Sequence, residues 1–424
     1  MSFAVGSEVG RKSKDALSSV QPPRHPLWIA GERERRCRWA SRLLMRLSLT
    51  VTLIVLQEGL GGPWMAASAL AQTYQGFGSQ TSGGSGKPVY RVTTLNDSGA
   101  GSLRDAVSQG NRYIVFDKGG EIRLSQDIWV GGANITIDGT TAPSPGITLK
   151  DHGLVISGSR GARDIILSGL RVRNSKGCDS CSTTGGGVLV TMNAYNIVID
   201  RVSVEGSQNF SISVSKGARD VTIQWSILAD NHLLSLISGT QSSVTRRVTM
   251  HHNLLIKGYE RMPQAKWSDT GAQATDTQLD FRNNIVWDWG YSGTQIWKGT
   301  RANIVSNYFH DPNASDGGKR RAIYICHARS QSPNCQTSNS SLYARAHIRG
   351  NVSGHGPAIT DYLNSLGTES SPFSAQSVST SDACTAAQQV LNSAGLRPLD
   401  SVDKALLSLV SLAPCNATYA SSLD

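Results

Sequence analysis

The stretch HHNLLIKGYERMPQAKW, residues 251–267, gathers two histidines, Glu260, Arg261 and Lys266. A guanidinium and an ammonium five residues apart are the elements of an anion site. The planar fork of Arg261 can hold a carboxylate by two hydrogen bonds, and Lys266 adds a point charge. Taken alone, Arg261-Met262-Pro263 reads better as a surface arginine paired with Glu260 or another acid. His251 and His252 are adjacent, so on an alternating strand one faces outward and the other lies in the core. No second His/Cys pair is spaced to make either a metal ligand. Trp267, Trp287, Trp289 and Trp297 fall on the same and following segments, where rings either stack on sugars or fill an interior. Lys319 to Arg321 form a basic loop, best read as solvated.

The elements that position these residues show as a repeat. ITIDGTTA from Ile135, IILSGLRV from Ile165, IVIDRVSV from Ile197 and VTIQWSIL from Val221 align with VTMHHNLL from Val248. LDFRNNIV from Leu279, ANIVSNYF from Ala302 and AHIRGNVS from Ala346 continue the series. Each is a short alternating strand, a polar corner and a second short strand. The starts lie 30, 32, 24, 27, 31, 23 and 44 residues apart. Strand repeats of this length mean a solenoid, and the polar corners exclude the amphipathic helices of a doubly wound sheet. The sixth position reads Asn253, Asn284, Asn307 and Asn351, a column able to hydrogen-bond as a ladder along parallel turns. The pattern predicts an all-β parallel β-helix from about Tyr90 to Asn351. Ser102 and Asp105 in GSLRDAVSQG make a capping box for a short front helix. DACTAAQQVLNSAG, ending at Gly395, predicts a second helix covering or flanking the last coils.

The chain has 424 residues and a formal charge of +10. Residues 1–71 carry a basic n-region, an apolar run from Leu47 to Leu56 and the small-x-small site Ala69-Leu70-Ala71. The run is shorter than the roughly 20 residues that span a bilayer, so it predicts a signal peptide and a secreted or periplasmic protein, with Met45 an alternative start. Without it 31 basic and 26 acidic residues remain, a charge of +5. That modest surplus suits a polyanion and gives little support to nucleic-acid binding. The mature chain is expected to be a monomer with no membrane segment. Cys178, Cys181, Cys326, Cys335, Cys384 and Cys415 remain in it, an even count that points to disulfides in an exported protein. Neighbour pairing is the simplest connectivity.

GFGSQTSGGSGKPVYRVTTLNDSGAGSLRDAV, NITIDGTTAPSPGITL, HHNLL with YERMP, DFRNNIVWDWG and NIVSNYF together resemble bacterial pectate lyases of polysaccharide lyase family one. AAQQVLNSAGLRPLDSVDKALL resembles the C-terminal segment of one branch of it, so the resemblance covers most of residues 74–410. It implies a right-handed parallel β-helix over 72–365, with residues 366–424 packed on it, that cleaves polygalacturonate by β-elimination at C4–C5. The C5 proton lies α to the C6 carboxylate, and its loss makes a dianionic, enolate-like species. Cations must offset that charge and a base must reach C5. In the family, Ca2+ and basic side chains do the first and an arginine before x-Pro does the second. Here that residue is Arg261, with Lys266 as a second cation. A guanidinium is a permanent cation, which favours the electrostatic role.

The chain departs from the family at the metal. Of Asp-His-x-Ser, Asp200 and Ser203 are present but Arg201 replaces the histidine. Glu205 and Asn209 stand where two calcium ligands are expected, and no acid lies near Gly187. One carboxylate and one amide are a poor set for an ion that takes six to eight oxygens, so substrate carboxylates would have to complete it. His232 is the nearest candidate for the second substrate-binding cation and Trp267 for a stacking ring. A non-catalytic acidic-glycan-binding β-helix and a calcium-independent lyase on pectin or another uronan are the alternatives. A hydrolase is disfavoured because it needs paired carboxylates.

Overall fold

The structure, a computed structural model, describes residues 74–174, 186–207, 209–240, 242–267, 274–313, 321–326, 343–354 and 367–416. The predicted leader, Cys178, Cys181, Cys335 and the basic residues Lys319 and Arg320 lie outside them.

Every aligned segment is a turn of a parallel β-helix. The first strand of each joins a ten-stranded parallel sheet running in chain order from Val89–Val92 to Arg345–Arg349. The remaining strands form two further parallel rows, a second sheet from Gly120–Arg123 to Val352–Ser353 and a third from Ile128–Val130 to Arg321–Ile325. Both rows share Ile227–Ser238, which runs unbroken through them over 12 residues. Alternation explains the core. Ile137, Leu167, Ile199, Ile223, Met250, Phe281 and Ile304 pair in register down the first sheet, and all are fully buried. At about 25 cal/mol per Å² of apolar area, these stacked columns supply most of the drive to coil.

From the strand Arg163–Ser168 onward, the corner after each first-sheet strand turns through one left-handed residue: Gly169, Arg201, Trp225, His252, Asn283, Ser306 and Gly350. In the last four of these corners the next residue is the asparagine of the column. Asn253 Nδ2 donates to Asn284 Oδ1 at 2.9 Å, Asn284 Nδ2 to Asn307 Oδ1 at 3.0 Å, and Asn307 Nδ2 to Asn351 Oδ1 at 2.9 Å. Each of those oxygens also accepts the backbone amide of the preceding asparagine, at 2.9 Å. The predicted ladder is present, and it satisfies donors that would otherwise be buried unmatched.

The same corner corrects the reading of the histidine pair. The left-handed turn at His252 breaks the strand's alternation, so His251 and His252 are both buried, at 2% and 4% exposure. Their Nδ1 atoms lie 2.9 Å apart, His251 Nε2 meets Gln224 Oε1 at 3.1 Å, and His252 stacks on Trp225 at 4.2 Å. Burial pushes His251 down to about 3 and His252 to about 4, the latter partly offset by a hydrogen bond with Gln389.

At the front, α1 (Leu103–Ala106) forms as predicted, with Ser102 Oγ accepting from Asp105 N at 3.2 Å. Only half of the capping box exists, because the Asp105 carboxylate takes the Tyr90 hydroxyl and the Ser102 amide goes to Gly99 O. The C-terminal segment first runs along the corners, exchanging hydrogen bonds between Asn303 and Phe373 and between Asn283 and Ser381. Then α2 (Ala383–Ser393) and α3 (Ser401–Ser408) follow, N-capped by Asp382 and Asp400. They flank the solenoid rather than cover its last coil, burying Val390, Ala394 and Leu406 against Ile227, Ile256, Trp287 and Tyr308 of the second sheet. A buried ion cluster fixes α3: Arg173 meets Asp400 at 2.9 Å and Asp403 at 2.8 Å, and Arg171 lies 3.5 Å from both acids. Cys384 and Cys415 form a disulfide, as neighbour pairing predicted. Cys326 is also disulfide-bonded.

Candidate active site

The outward side chains of the third sheet line up across coils, because one residue per strand occupies each register position. Val155, Leu189, Ser213, Leu236, Gln264, Gln295 and Tyr324 form one such column. Its first four members floor a groove of about 270 Å³, with Asn209 and Phe210 at one end of the strand and Lys216 at the other. Phe210 and Lys216 are six residues apart, about 20 Å along an extended chain.

Arg261 stands at the Phe210 end. Its backbone is left-handed, with φ 64°, and its carbonyl accepts the Ser235 amide at 2.9 Å. The neighbouring Met262 is fully buried and anchors the turn. A Cβ on Gly258 would lie 2.7 Å from the Met262 sulfur, so glycine at 258 makes room for that anchor. The Arg261 side chain is 27% exposed, and its Nε donates to Glu260 Oε1 at 3.2 Å. Its guanidinium carbon lies 5.6 Å from the centre of the Phe210 ring. Neither Nη group has a protein partner among the described residues, which leaves a two-donor fork for a ligand. Glu260 is held in turn by Gln295, which approaches its Oε2 at 3.4 Å, and Gln295 accepts from Gln264.

The other predicted site residues separate. Lys266 is in register with Ser238, about 16 Å along the strand from Arg261, and so lies toward the Lys216 end of the groove. Trp267 is 5% exposed and offers no face to a sugar, and Trp287 and Trp289 are likewise buried. His232 is on the Arg261 side, where it stacks on Tyr259 at 4.7 Å and Tyr259 on Tyr291 at 6.4 Å. Tyr259 and Tyr291, 49% and 44% exposed, are the open rings of this region, and the sequence reading missed them. Their positions before Glu260 and in WGYSG were the available signal.

The metal residues also separate. Glu205 pairs in register with Arg173 and Ala229 in the second sheet, whereas Asn209 stands in the corner just before the third-sheet strand Phe210–Ser215. The backbone oxygen of Asn209 accepts from Asn231 at 2.7 Å. Asp200 is fully buried and bonded to Arg201, Gln224 and Ser168, and Ser203 bonds Asp403, so these motif residues serve the scaffold. No acid can stand at 187, because a Cβ there would lie 2.1 Å from Phe210 O. Asp127, a third residue the sequence reading missed, instead reaches in from an earlier coil. Its Oδ1 accepts from Gly153 N at 3.0 Å and Gly186 N at 3.4 Å. Among the described residues no three His, Cys, Asp or Glu side chains converge to hold a metal. This donor set does not fit a resident calcium ion, which needs several converging oxygens.

A parallel β-helix with a lateral groove on one sheet, and the Arg261 fork at the groove's end, is a scaffold for gripping an extended polymer on its flank. The comparisons point the same way. The chain is 36% identical over 235 residues to "Probable pectate lyase C" of Emericella nidulans, which covers 55% of this chain and 51% of that protein. It thus spans about half the length of the curated relatives it matches. Those relatives are fungal and, at 29% identity, from Arabidopsis thaliana, rather than from the bacterial branch the motifs suggested. No protein-family model matches the chain. Among solved structures, the pectate lyase from Bacillus sp. N165 in complex with trigalacturonate superposes with a TM-score of 0.56 at 18% identity, over 76% of this chain and 98% of that one. The major allergen from cedar pollen superposes with a TM-score of 0.53 at 19% identity, over 76% and 92%. At these identities the shared feature is the fold.

Proposed function

We propose that this chain is an exported polysaccharide lyase that cleaves the galacturonan backbone, as in polygalacturonate, by β-elimination across C4 and C5. The observation that carries the reading is the Arg261 fork, tied through Nε to Glu260 and, among the described residues, open at both Nη groups beside Phe210. The resemblance to pectate lyases supports the reaction class. The leader-like segment and the disulfides support export. No helix among the described residues is long and apolar enough to cross a membrane.

In this mechanism Arg261 binds the C6 carboxyl oxygens, where negative charge grows as the C5 proton leaves. A preorganised two-donor cation at that point stabilises the transition state more than the ground state. Glu260 fixes the plane of the guanidinium. Phe210 and the outer Tyr259 and Tyr291 rings give the sugar an apolar boundary beside it. The C5 proton passes to water at the open mouth of the groove, the C5–H electron pair forms C4=C5 as the bond from C4 to its glycosidic oxygen breaks, and the departing oxygen takes a proton from water. No step is routed through calcium. Incubation with galacturonan tests the reading: elimination leaves an unsaturated, ultraviolet-absorbing end, while hydrolysis or mere binding leaves none.

A further inference from the structure

We infer that the seam between the N-terminal and C-terminal segments, on the outer face of the first sheet, is a second binding site that takes a hydroxylated carboxylate of monosaccharide size. This does not depend on the lyase reading. The seam lies where two straps meet. The N-terminal segment crosses the first sheet, with Phe77 N donating to Thr249 Oγ1 at 3.1 Å and Gly78 N to Thr222 Oγ1 at 2.9 Å. The C-terminal segment covers the next coils, with Thr277 Oγ1 donating to Ser374 O at 2.5 Å and Phe373 N to Asn303 Oδ1 at 2.9 Å. Gly76 N joins the two straps by donating to Ser377 O at 3.1 Å. Between them lies a pocket of about 280 Å³, to which each strap contributes one phenyl ring, Phe77 and Phe373. Its size is close to the roughly 300 Å³ at which small-molecule sites begin.

The charge open to a ligand comes from Arg301. Arg246 and Arg247 meet Asp276 at 3.4 and 3.3 Å, and Arg247 also meets Asp220 at 2.5 Å. Asp276 is thus neutralised by two guanidiniums, and Arg247 is committed to two carboxylates. Arg345, in register with Arg301 on the following coil, is paired with Glu369. Arg301 lines the pocket without a carboxylate partner among the described residues. One of its Nη groups donates to Thr275 O at 3.3 Å, and its guanidinium carbon lies 5.7 Å from the centre of the Phe373 ring. Its Nε is buried with no hydrogen-bond partner among the described residues. A buried charged donor left unmatched is costly, and a carboxylate in the pocket supplies the match. The remaining polar lining suits hydroxyls. The Asp276 carboxylate accepts from an O–H, and the Gln376 amide both gives and accepts. The two rings suit the C–H face of a pyranose. A bare oxyanion such as sulfate satisfies Arg301 but brings no proton to Asp276. A ligand seated here touches both straps and holds the seam shut.

The test is titration of the full chain with D-galacturonate, neutral D-galactose and sulfate at constant ionic strength. The protein carries Arg261→Ala, so that the groove fork does not contribute. Galacturonate is expected to bind, and galactose and sulfate to bind more weakly, galactose by at least about tenfold, the worth of a charge-assisted hydrogen bond. Arg301→Gln is expected to weaken galacturonate by the same factor. Arg301→Lys restores only part of it, because an ammonium does not reproduce the fork. Thermal unfolding without ligand checks that both variants fold. Galacturonate at ten times its Kd is also expected to slow proteolysis within residues 373–381 about elevenfold, since the strap must release its ligand before it opens. No binding of galacturonate, galactose bound as tightly, sulfate bound more tightly, an effect of both substitutions below twofold, or strap cleavage unchanged by bound galacturonate each overturns the inference. None of these outcomes bears on the lyase reading, because the Arg261 groove takes no part in them.

Discussion

Replacing Arg261 by alanine separates a catalytic fork from a surface ion pair. Loss of one preorganised donor to a developing oxyanion lowers kcat by about 10²–10³. The two Nη donors act as a unit, so the expected loss is roughly 10³ rather than the product of two such factors. That is near 4 kcal/mol at about 1.36 kcal/mol per decade. The stability cost is small, because the Arg261–Glu260 pair is partly exposed at 27% and 22%, and such pairs contribute at most about 1 kcal/mol. The assay is continuous absorbance of the unsaturated product on the better galacturonan, with thermal unfolding as the control for folding. Arg261→Lys is expected to recover little, since an ammonium does not reproduce the fork. An alanine variant that folds normally and keeps its rate within about twofold contradicts this, since a transition-state donor is worth far more.

Three further outcomes follow from the scaffold. Asn284→Ala leaves the Asn253 backbone amide and one of its two Nδ2 hydrogens unmatched in the interior, Nδ2 keeping Ile223 O, and is expected to cost roughly 2–5 kcal/mol by urea unfolding, at about 1–3 per buried orphan; a change below about 0.5 kcal/mol refutes the ladder as a stabilising element. His251 and His252 are depressed in the folded state to about 3 and about 4 from an ordinary 6.5, so the unfolded chain binds protons first on acidification. Their contribution is complete above about pH 6.5 and is lost as pH falls through 4 and 3, and His251→Gln should flatten the decline in urea midpoint between pH 6.5 and 4.5. An equal decline in the variant assigns acid sensitivity elsewhere. Asp403→Ala strips Arg171 and Arg173 of a buried partner and is expected to cost about 3–5 kcal/mol. Increased proteolysis within residues 383–416 should accompany it, and unchanged protection would show that the apolar contacts of α2 and α3 suffice.

The features legible in the sequence were those that repeat. Alternation within each segment and the asparagine at its sixth position recur in every coil that carries them, so the sheets, the register and the ladder were readable from spacing alone. His251 and His252 were misread because the left-handed residue at each corner is no particular amino acid: Arg201, Trp225, His252 and Ser306 all fill it. Asp127 escaped notice because its partners Gly153 and Gly186 lie 26 and 59 residues away, and only coil stacking brings them together. Tyr259 and Tyr291 were overlooked in favour of the tryptophans. In this solenoid the larger rings of Trp267, Trp287 and Trp289 are buried, and the tyrosines, with a polar tip, face water. Glu205 and Asn209 looked like a pair from their spacing, yet Glu205 ends a second-sheet strand and Asn209 stands in the corner that follows.

The central claim is that the groove beside Arg261 performs elimination, and the product tests it most directly. Galacturonan cleaved by the wild-type protein should yield chain ends that absorb in the ultraviolet and show a C4=C5 vinyl proton by NMR, one for each new reducing end. Reducing ends without the vinyl signal would make the protein a hydrolase. Binding of the polymer with no new ends at all would make it a glycan-binding solenoid.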